Sequence, residues 1–348
     1  MSSFIYSKME GKNDAFFGHF EHPIKALIEQ ESNYQEQKKA ALDFLFNVEK
    51  SNRYAETVTS ETDFQDFQAV KEGEGAENDS IEPGFTNTIY HYQFMKEFTI
   101  TREMADDSKM GIATNIRSKP KKFVQAYYKT RNRLAEQALI NGTSTSMTFN
   151  KAVIPLKTGD GYQLFYNAHP SKTGRTGTQS NYFVNGSATS MTSASAIEET
   201  LALLSNKMRN FKDEQNDNMG YVADVLIIPA NRPGLESICK KVVGSERATG
   251  SNYNDINTQY GQWSLVVLDG WTTSVDKFMI MSKEANEALL GNMFYNRVPL
   301  DISSFIDPHT RNYVWNGYCR MGVGFNTWKH ILLFDDSSSN AAATAINA

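Results

Sequence analysis

Apolar positions change period several times along this chain. From Pro23 to about Arg53 they fall at helical spacing. Ile24, Leu27 and Ile28 make one short stripe, and Ala41, Leu42, Leu45, Phe46 and Val48 a second, with the polar bridge QESNYQEQKK between them. The run YAETVTSETDFQDFQAV has no clear helical period and leads into KEGEGAENDSIEPG, an acidic, glycine-rich turn region. In FTNTIYHYQFMKEFTITRE the period becomes two. Tyr90, Tyr92, Phe94, Phe98 and Ile100 alternate with polar neighbours, broken only by Lys96. This predicts a two-faced strand of roughly 15 residues reaching about 50 Å, where a usual strand has about 5–6. A strand so long after such a turn predicts an extended hairpin, Lys71 to Arg102, projecting beyond the body of its own chain.

A helical period returns in PKKFVQAYYKTRNRLAEQALI. Phe123, Tyr127, Leu134 and Ala138 share one side, with Val124, Tyr128, Ala135 and Leu139 beside them. Pro120 suits the first helical position and Asn141-Gly142 supplies a stop. The predicted helix, Pro120 to Ile140, is about 32 Å long and has a wide apolar band that calls for cover on more than one side. Further on, Ser195 and Glu198 form a capping-box pattern ahead of the stripe Ile197, Leu201, Leu204, Met208, Phe211. VADVLIIPA reads as a buried strand and LESICKKVVG as a short helix closed by Gly244. WSLVVLD and KFMIMS read as strands joined by a tight turn. That alternation predicts a compact α/β unit. RNYVWNGYCRMGVGFNTWKHILLFDD predicts one or two more strands, followed by a polar small-residue tail; residues 1–22 form a polar arm.

Composition narrows the picture. A hydrophobic content of 40% with 22% charge is enough for a real core, and the net charge of −5 argues against a reader of nucleic acid working through a basic face. Aromatics reach 12%, but they are spread along the chain, as in strand-rich proteins with large packed faces. Cys239 and Cys319 make no metal spacing and read as free thiols. MSSFIYSKMEGKND has no signal-peptide pattern, and no apolar run approaches the length of a membrane span.

The order of these elements resembles the major capsid protein of tailed bacteriophages, with the Hong Kong 97 phage-like fold and a resemblance to Mu-like head subunits. FQAVKEGE followed by FTITREMADD is similar to the two ends of that family's extended E-loop. Pro120–Ile140 is similar to the spine helix of its peripheral (P) domain, LFYNAHP with TQSN to a head-subunit segment, and ADVLIIPANRPGLESICKKVVGS, NDIN and WSLVVLDGW to its axial (A) domain core. Together they cover about residues 55–330. The resemblance implies an α+β fold divided as N-terminal arm and helix 1–65, E-loop 66–102, P domain 103–150 with its spine helix 120–141, A domain 151–290, return strands 291–334 and polar tail 335–348. It also implies a virion protein assembled in the host cytoplasm, whose E-loop residues Tyr90, Tyr92, Phe94, Lys71 and Lys96 touch another subunit. Phe123, Tyr127 and Leu134 would hold the spine. Only about 65 residues precede the E-loop strand, so a fused scaffold is expected to be absent. The partners implied are then further copies of the chain in pentamers and hexamers, a separate scaffolding protein, a portal and non-specifically contacted DNA.

Catalytic chemistry finds little support. FYNAHPSKTGRTGTQSN holds His169, Lys172, Arg175, glycines and hydroxyls, yet it lacks the order of a phosphate loop and no nucleophile elbow occurs in the chain. It reads as a surface or interface loop. His19 and His22 lack a third ligand, so no metal or cofactor is expected. Asp106-Asp107, Asp213-Glu214 and Asp335-Asp336 read as solvated turns, and KPKK at 119–122 as a basic helix start. A lysine–asparagine cross-link, as some family members make, would use Lys71 or Lys96 with Asn316 or Asn326. No carboxylate can be placed to assist it, so the expected association is noncovalent. The alternatives to a phage head are an encapsulin-like compartment and a cytosolic α/β enzyme.

Overall fold

The computed structural model describes the backbone of residues 4–6, 15–37, 41–62, 64, 67–75, 78, 80–106, 113–185, 191–247, 256–337 and 343–346, with side chains from Ile24 onward except 105–117. The first elements are β1 (Phe4–Tyr6), α1 (Ala15–Gln37), α2 (Ala41–Leu45), β2 (Asn47–Lys50), β3 (Ala55–Glu61), β4 (Pro83–Tyr90), β5 (Tyr92–Ile100), α3 (Arg102–Asp106) and α4 (Ala113–Ile140). Then come β6 (Ser146–Phe149), β7 (Ala152–Pro155), β8 (His169–Pro170), β9 (Thr178–Gln179), β10 (Tyr182–Val184), α5 (Ala194–Arg209), β11 (Val225–Pro229) and α6 (Pro233–Gly244). The chain closes with β12 (Ser264–Leu268), β13 (Lys277–Met281), α7 (Lys283–Ala288), β14 (Asn292–Ile306), β15 (Tyr313–Phe325), β16 (Ile331–Asp335) and β17 (Thr344–Ala345).

Two sheets organise the molecule. The first runs β1-β14-β15-β5, with β2 also paired to β14. Its centre is the long antiparallel pair β14–β15, on which β1 and β2 lie parallel to β14. Helix α4 packs on this sheet. Phe123 meets Phe98 at 5.1 Å between ring centroids, and Phe98 in turn stacks on Trp315 at 5.1 Å. Gly317 makes that approach possible, because a Cβ there would come within 2.4 Å of Phe123 Cζ. The other side of α4 is covered by α1, where Ser32 Oγ and Tyr128 OH are 2.9 Å apart and Gln125 donates to Glu31 at 2.9 Å. The wide apolar band is therefore covered from two directions, and Val124, Leu134, Ala135, Ala138 and Leu139 are all buried. The helix begins at Ala113 rather than Pro120, which sits inside it. Proline's fixed φ is helical, so the ring costs one backbone bond and local crowding without ending the helix. KPKK is therefore helix interior, with Lys119 Nζ donating to Thr99 O at 2.8 Å.

The second sheet runs β12-β11-β13-β16-β10-β17. β11 is buried at every position, as its unbroken apolar run requires, and α5 and α6 pack together beside it. β12 and β13 are not a hairpin. Both pair with β11, β12 parallel and β13 antiparallel, so the loop between them crosses β11. Ser193, not Ser195, caps α5, its Oγ accepting from Ala196 N at 3.2 Å. The end of the chain is more than a polar tail: β17 extends the sheet beside β10 and Ile346 is buried. Asp335 is buried rather than solvated, with Lys277 Nζ at 2.6 Å and Tyr182 OH donating at 3.1 Å. Burial would raise its carboxyl, but hydrogen bonds from Lys277 and Ser337 together with the Lys277 charge outweigh that and hold it below the usual range. Asp107 lies outside the described residues, as do the side chains of Asp106, His19 and His22.

Candidate functional site

The surfaces that set this chain apart are a two-stranded hairpin outside both sheets, and the sheet edge and helix at its root. β3 pairs antiparallel with β4, from Ala55↔Tyr90 to Glu61↔Pro83. Thr57 and Thr88 hydroxyls lie 3.2 Å apart, and those of Thr59 and Thr86 3.0 Å, forming a polar ladder on an exposed face. Beyond the strands, Lys71 starts a turn in which Glu74 N donates to Lys71 O at 3.0 Å, with Gly73 at φ +87°. Phe64, Phe67, Val70 and Ile81 are exposed on this loop, uncovered by any of the described helices and sheets. The sequence signal for the first three was FQDFQAV, apolar residues every third position in an acidic stretch too polar for a core.

The expected single strand through Tyr90, Tyr92 and Phe94 is broken at His91. Gly322 of β15 brings this segment close, a Cβ there falling 2.7 Å from Tyr90 O and 2.8 Å from His91 Nδ1. His91 is buried with Nε2 2.9 Å from Ser51 Oγ, and the chain leaves the sheet there to pair with β3. Desolvation by burial lowers the His91 pKa, Glu56 opposing and Arg320 and Arg297 assisting. Tyr90 thus belongs to the hairpin, 44% exposed and edge-on to Tyr54. Tyr92, Phe94 and Lys96 belong to β5, an edge strand of the first sheet. Tyr92 and Phe94 pack partly against their own core, Phe94 edge-on to Phe149 at 6.0 Å, while Lys96 is exposed. A cavity of about 370 Å³ opens between this edge and Phe123 and Tyr127 of α4. Lys71 and Lys96 therefore lie on different units. Asn316 sits opposite Glu97 in the ladder, and Asn326 donates to Leu290 O at 2.8 Å.

The tip of the histidine loop is exposed at Lys172, Gly174 and Arg175, but its histidine is not. His169 is 1% exposed, with Nδ1 2.5 Å from Asp160 Oδ2 and Nε2 3.2 Å from Asn181 Oδ1. Its ring stacks on Trp328 with centroids 4.4 Å apart. Burial would raise the Asp160 carboxyl, but hydrogen bonds from His169, Thr158 and Tyr162 N outweigh it and lower it. An aspartate-oriented histidine is half of a triad, but Nε2 faces an amide oxygen instead of a hydroxyl or thiol. Among the described residues no group of three His, Cys, Asp or Glu side chains is arranged to hold a metal. No described helix is long and apolar enough to cross a membrane. Asp213 caps a turn, its Oδ1 accepting from Gln215 N and Asp217 N at 2.8 Å each.

The family model described as "Phage capsid protein" matches residues 88–333. No curated protein sequence matches the chain. Among solved structures, a chain of Mycobacterium phage Patience is 13% identical, with 97% of this chain and 95% of that one covered and a TM-score of 0.54. The capsid of a native GTA particle is 12% identical over 85% and 90%, with a TM-score of 0.51. The capsid of Myoviridae phage XM1 is 12% identical over 86% and 93%, with a TM-score of 0.50. At these identities the likeness is one of fold.

Proposed function

This chain belongs to the phage capsid protein family, and from that premise we propose how its surfaces build and hold a shell. It is a major capsid protein with a Hong Kong 97 phage-like fold, a structural component of the virion. In our reading, copies associate noncovalently as pentamers and hexamers of a closed icosahedral head around double-stranded DNA. The exposed hairpin, with Tyr90 on its strand and Lys71 at its turn, lies on a neighbouring copy. Tyr92, Phe94 and Lys96 at the β5 edge contribute to the same contact region. Phe123, Tyr127 and Leu134 fix α4 to its sheet and so keep each copy stiff enough to repeat one interface many times. No catalytic role is assigned. A separate scaffolding protein and a portal are the further partners, and packaged DNA is touched without sequence preference, in keeping with the net charge of −5.

The observation that carries this reading is the family match across 88–333. Expression of the full chain, alone and with a scaffolding partner, followed by sizing and negative-stain microscopy, tests it. Closed particles are expected; a chain that stays monomeric or dimeric under both conditions overturns it. Particles that enclose protein cargo in place of DNA would favour a compartment.

A further inference from the structure

The net charge of −5 conceals a segregation of charge along the chain. Helix α4 holds seven Lys and Arg residues and one acid, Glu136. The loop from Glu61 to Glu82 holds eight acids and one cation, Lys71. Some cations of α4 are used within the fold. Lys119 donates to Thr99 O, and Arg131 lies 3.1 Å from Asp43 with its guanidinium over the Phe294 ring. Lys122, Lys129 and Arg133 are different. All three are exposed, and none makes an ion pair among the described residues. At about 100° per residue they fall within a sector of about 40° on the helix, and Lys122 to Arg133 spans about 16 Å.

Packing leaves this stripe to solvent. Phe123 faces the first sheet, while Gln125 and Tyr128 face α1. The α1 carboxylates on that side are already engaged: Glu31 accepts from Gln125 at 2.9 Å and from Gln35 at 2.8 Å, and Glu36 accepts from Tyr128 OH at 3.2 Å. Glu136 is turned toward Gly270, its Oε2 3.0 Å from where a Cβ would stand. Among the described side chains of α4, those exposed are Lys122, Gln125, Lys129 and Arg133, and no large apolar one is among them. The centres of protein–protein interfaces are rich in aromatics and poor in lysine, whereas surfaces that meet DNA are polar and positive. Tyr54, Phe64, Phe67 and Tyr90, exposed on and beside the hairpin, suit the first kind of partner. The α4 stripe suits the second.

We propose that Lys122, Lys129 and Arg133 form the surface through which this chain touches duplex DNA, by phosphate contacts alone. Along about 16 Å one strand of a duplex presents about five phosphates, enough to engage all three cations. The one amide on the stripe, Gln125, is committed to Glu31, so nothing there reads base edges and contact is independent of sequence. The inference rests on the shell reading for its place in the virion and names the face that meets the genome.

The test is fluorescence anisotropy of duplexes of two unrelated sequences with the unassembled full chain, across a fourfold range of salt. Three phosphate contacts predict a log–log slope of about −2.7 for both duplexes, an affinity about fortyfold weaker at the high-salt end. Lys129→Gln should make the slope shallower by about 0.9. The triple variant Lys122→Gln, Lys129→Gln, Arg133→Gln should lose the binding, and Lys172→Gln with Arg175→Gln should keep the wild-type slope. No binding by the wild type, or an unchanged slope in the triple variant, overturns the proposal. So does a triple variant that binds DNA normally but no longer forms particles, since the stripe would then seat the acidic loop of another copy. Particle formation is scored separately by microscopy. A wild type without particles counts against the shell reading, while the salt slope still decides the stripe.

Discussion

Acid should destabilise the subunit most of all through His330. It is fully buried, and its Nε2 lies 2.7 Å from Asn292 Oδ1, whose amide nitrogen donates to Leu45 O at 3.0 Å. Nε2 therefore carries the ring proton. Nδ1 has no hydrogen-bond partner and is pressed against Gly291, where a Cβ would sit 2.4 Å away. Burial pushes its pKa down from 6.5 to about 3, the Thr327 backbone pulling weakly the other way. The unfolded chain takes up this proton below about pH 6.5 and the folded chain only near the depressed value, so stability is lost as pH falls through that window. Between about pH 7.5 and about pH 5 the loss from this group is about 2 kcal/mol, set against a typical stability of about 5–15. Burial lowers His91 as well, so it adds to the slope in the same direction. Urea unfolding of the wild-type subunit and of His330→Gln at both pH values separates the two. The variant should be weaker at neutral pH but lose about 2 kcal/mol less on acidification. An equal acid loss in both proteins would refute the assignment.

The remaining expectations concern packing and thiols. Leu134→Ala should cost about 2–5 kcal/mol in urea unfolding and reduce particle yield, whereas Lys129→Ala, exposed on the same helix, should assemble as the wild type does; equal yields would remove α4 as the spine. Gly317→Ala puts a methyl 2.4 Å from Phe123 Cζ and 3.2 Å from Leu300 Cδ1, so a loss of about 1–3 kcal/mol is expected, and an unchanged melting temperature would show that Phe123 yields freely. Cys239 and Cys319 are buried with their thiols pushed up to about 12. A thiol reagent should label them far more slowly in native than in urea-unfolded protein, and rapid native labelling would contradict the packing.

Local periodicity carried much of this fold. α4, α5, β11 and α6 were readable because their stripes and runs depend on neighbours a few residues away. Pairing was less readable, since it depends on partners far along the chain. The alternation through Tyr90, Tyr92 and Phe94 looked like one strand, because nothing local marks His91 as the point where Gly322 and Ser51 draw the chain out of the sheet. Pro120 looked like a helix start because propensity favours it there, yet the helix runs two turns further back, to Ala113. His169 looked exposed among polar, glycine-rich neighbours; only the folded chain brings Asp160, Asn181 and Trp328 around it.

Strand β14 has a consequence for synthesis. It receives β1 and β2 from the start of the chain and β15 from the far end, and β15 in turn holds β5. Ribosomes deliver β1, β2 and β5 long before either of the strands they need. Pairings of such wide sequence separation form slowly, so the first sheet remains unmade until the last quarter of the chain emerges. A polypeptide terminated before Asn292 would lack the whole seam and offer no finished face to other copies. Premature fragments should therefore go to proteases instead of being incorporated as defective tiles, a form of quality control written into the order of the strands.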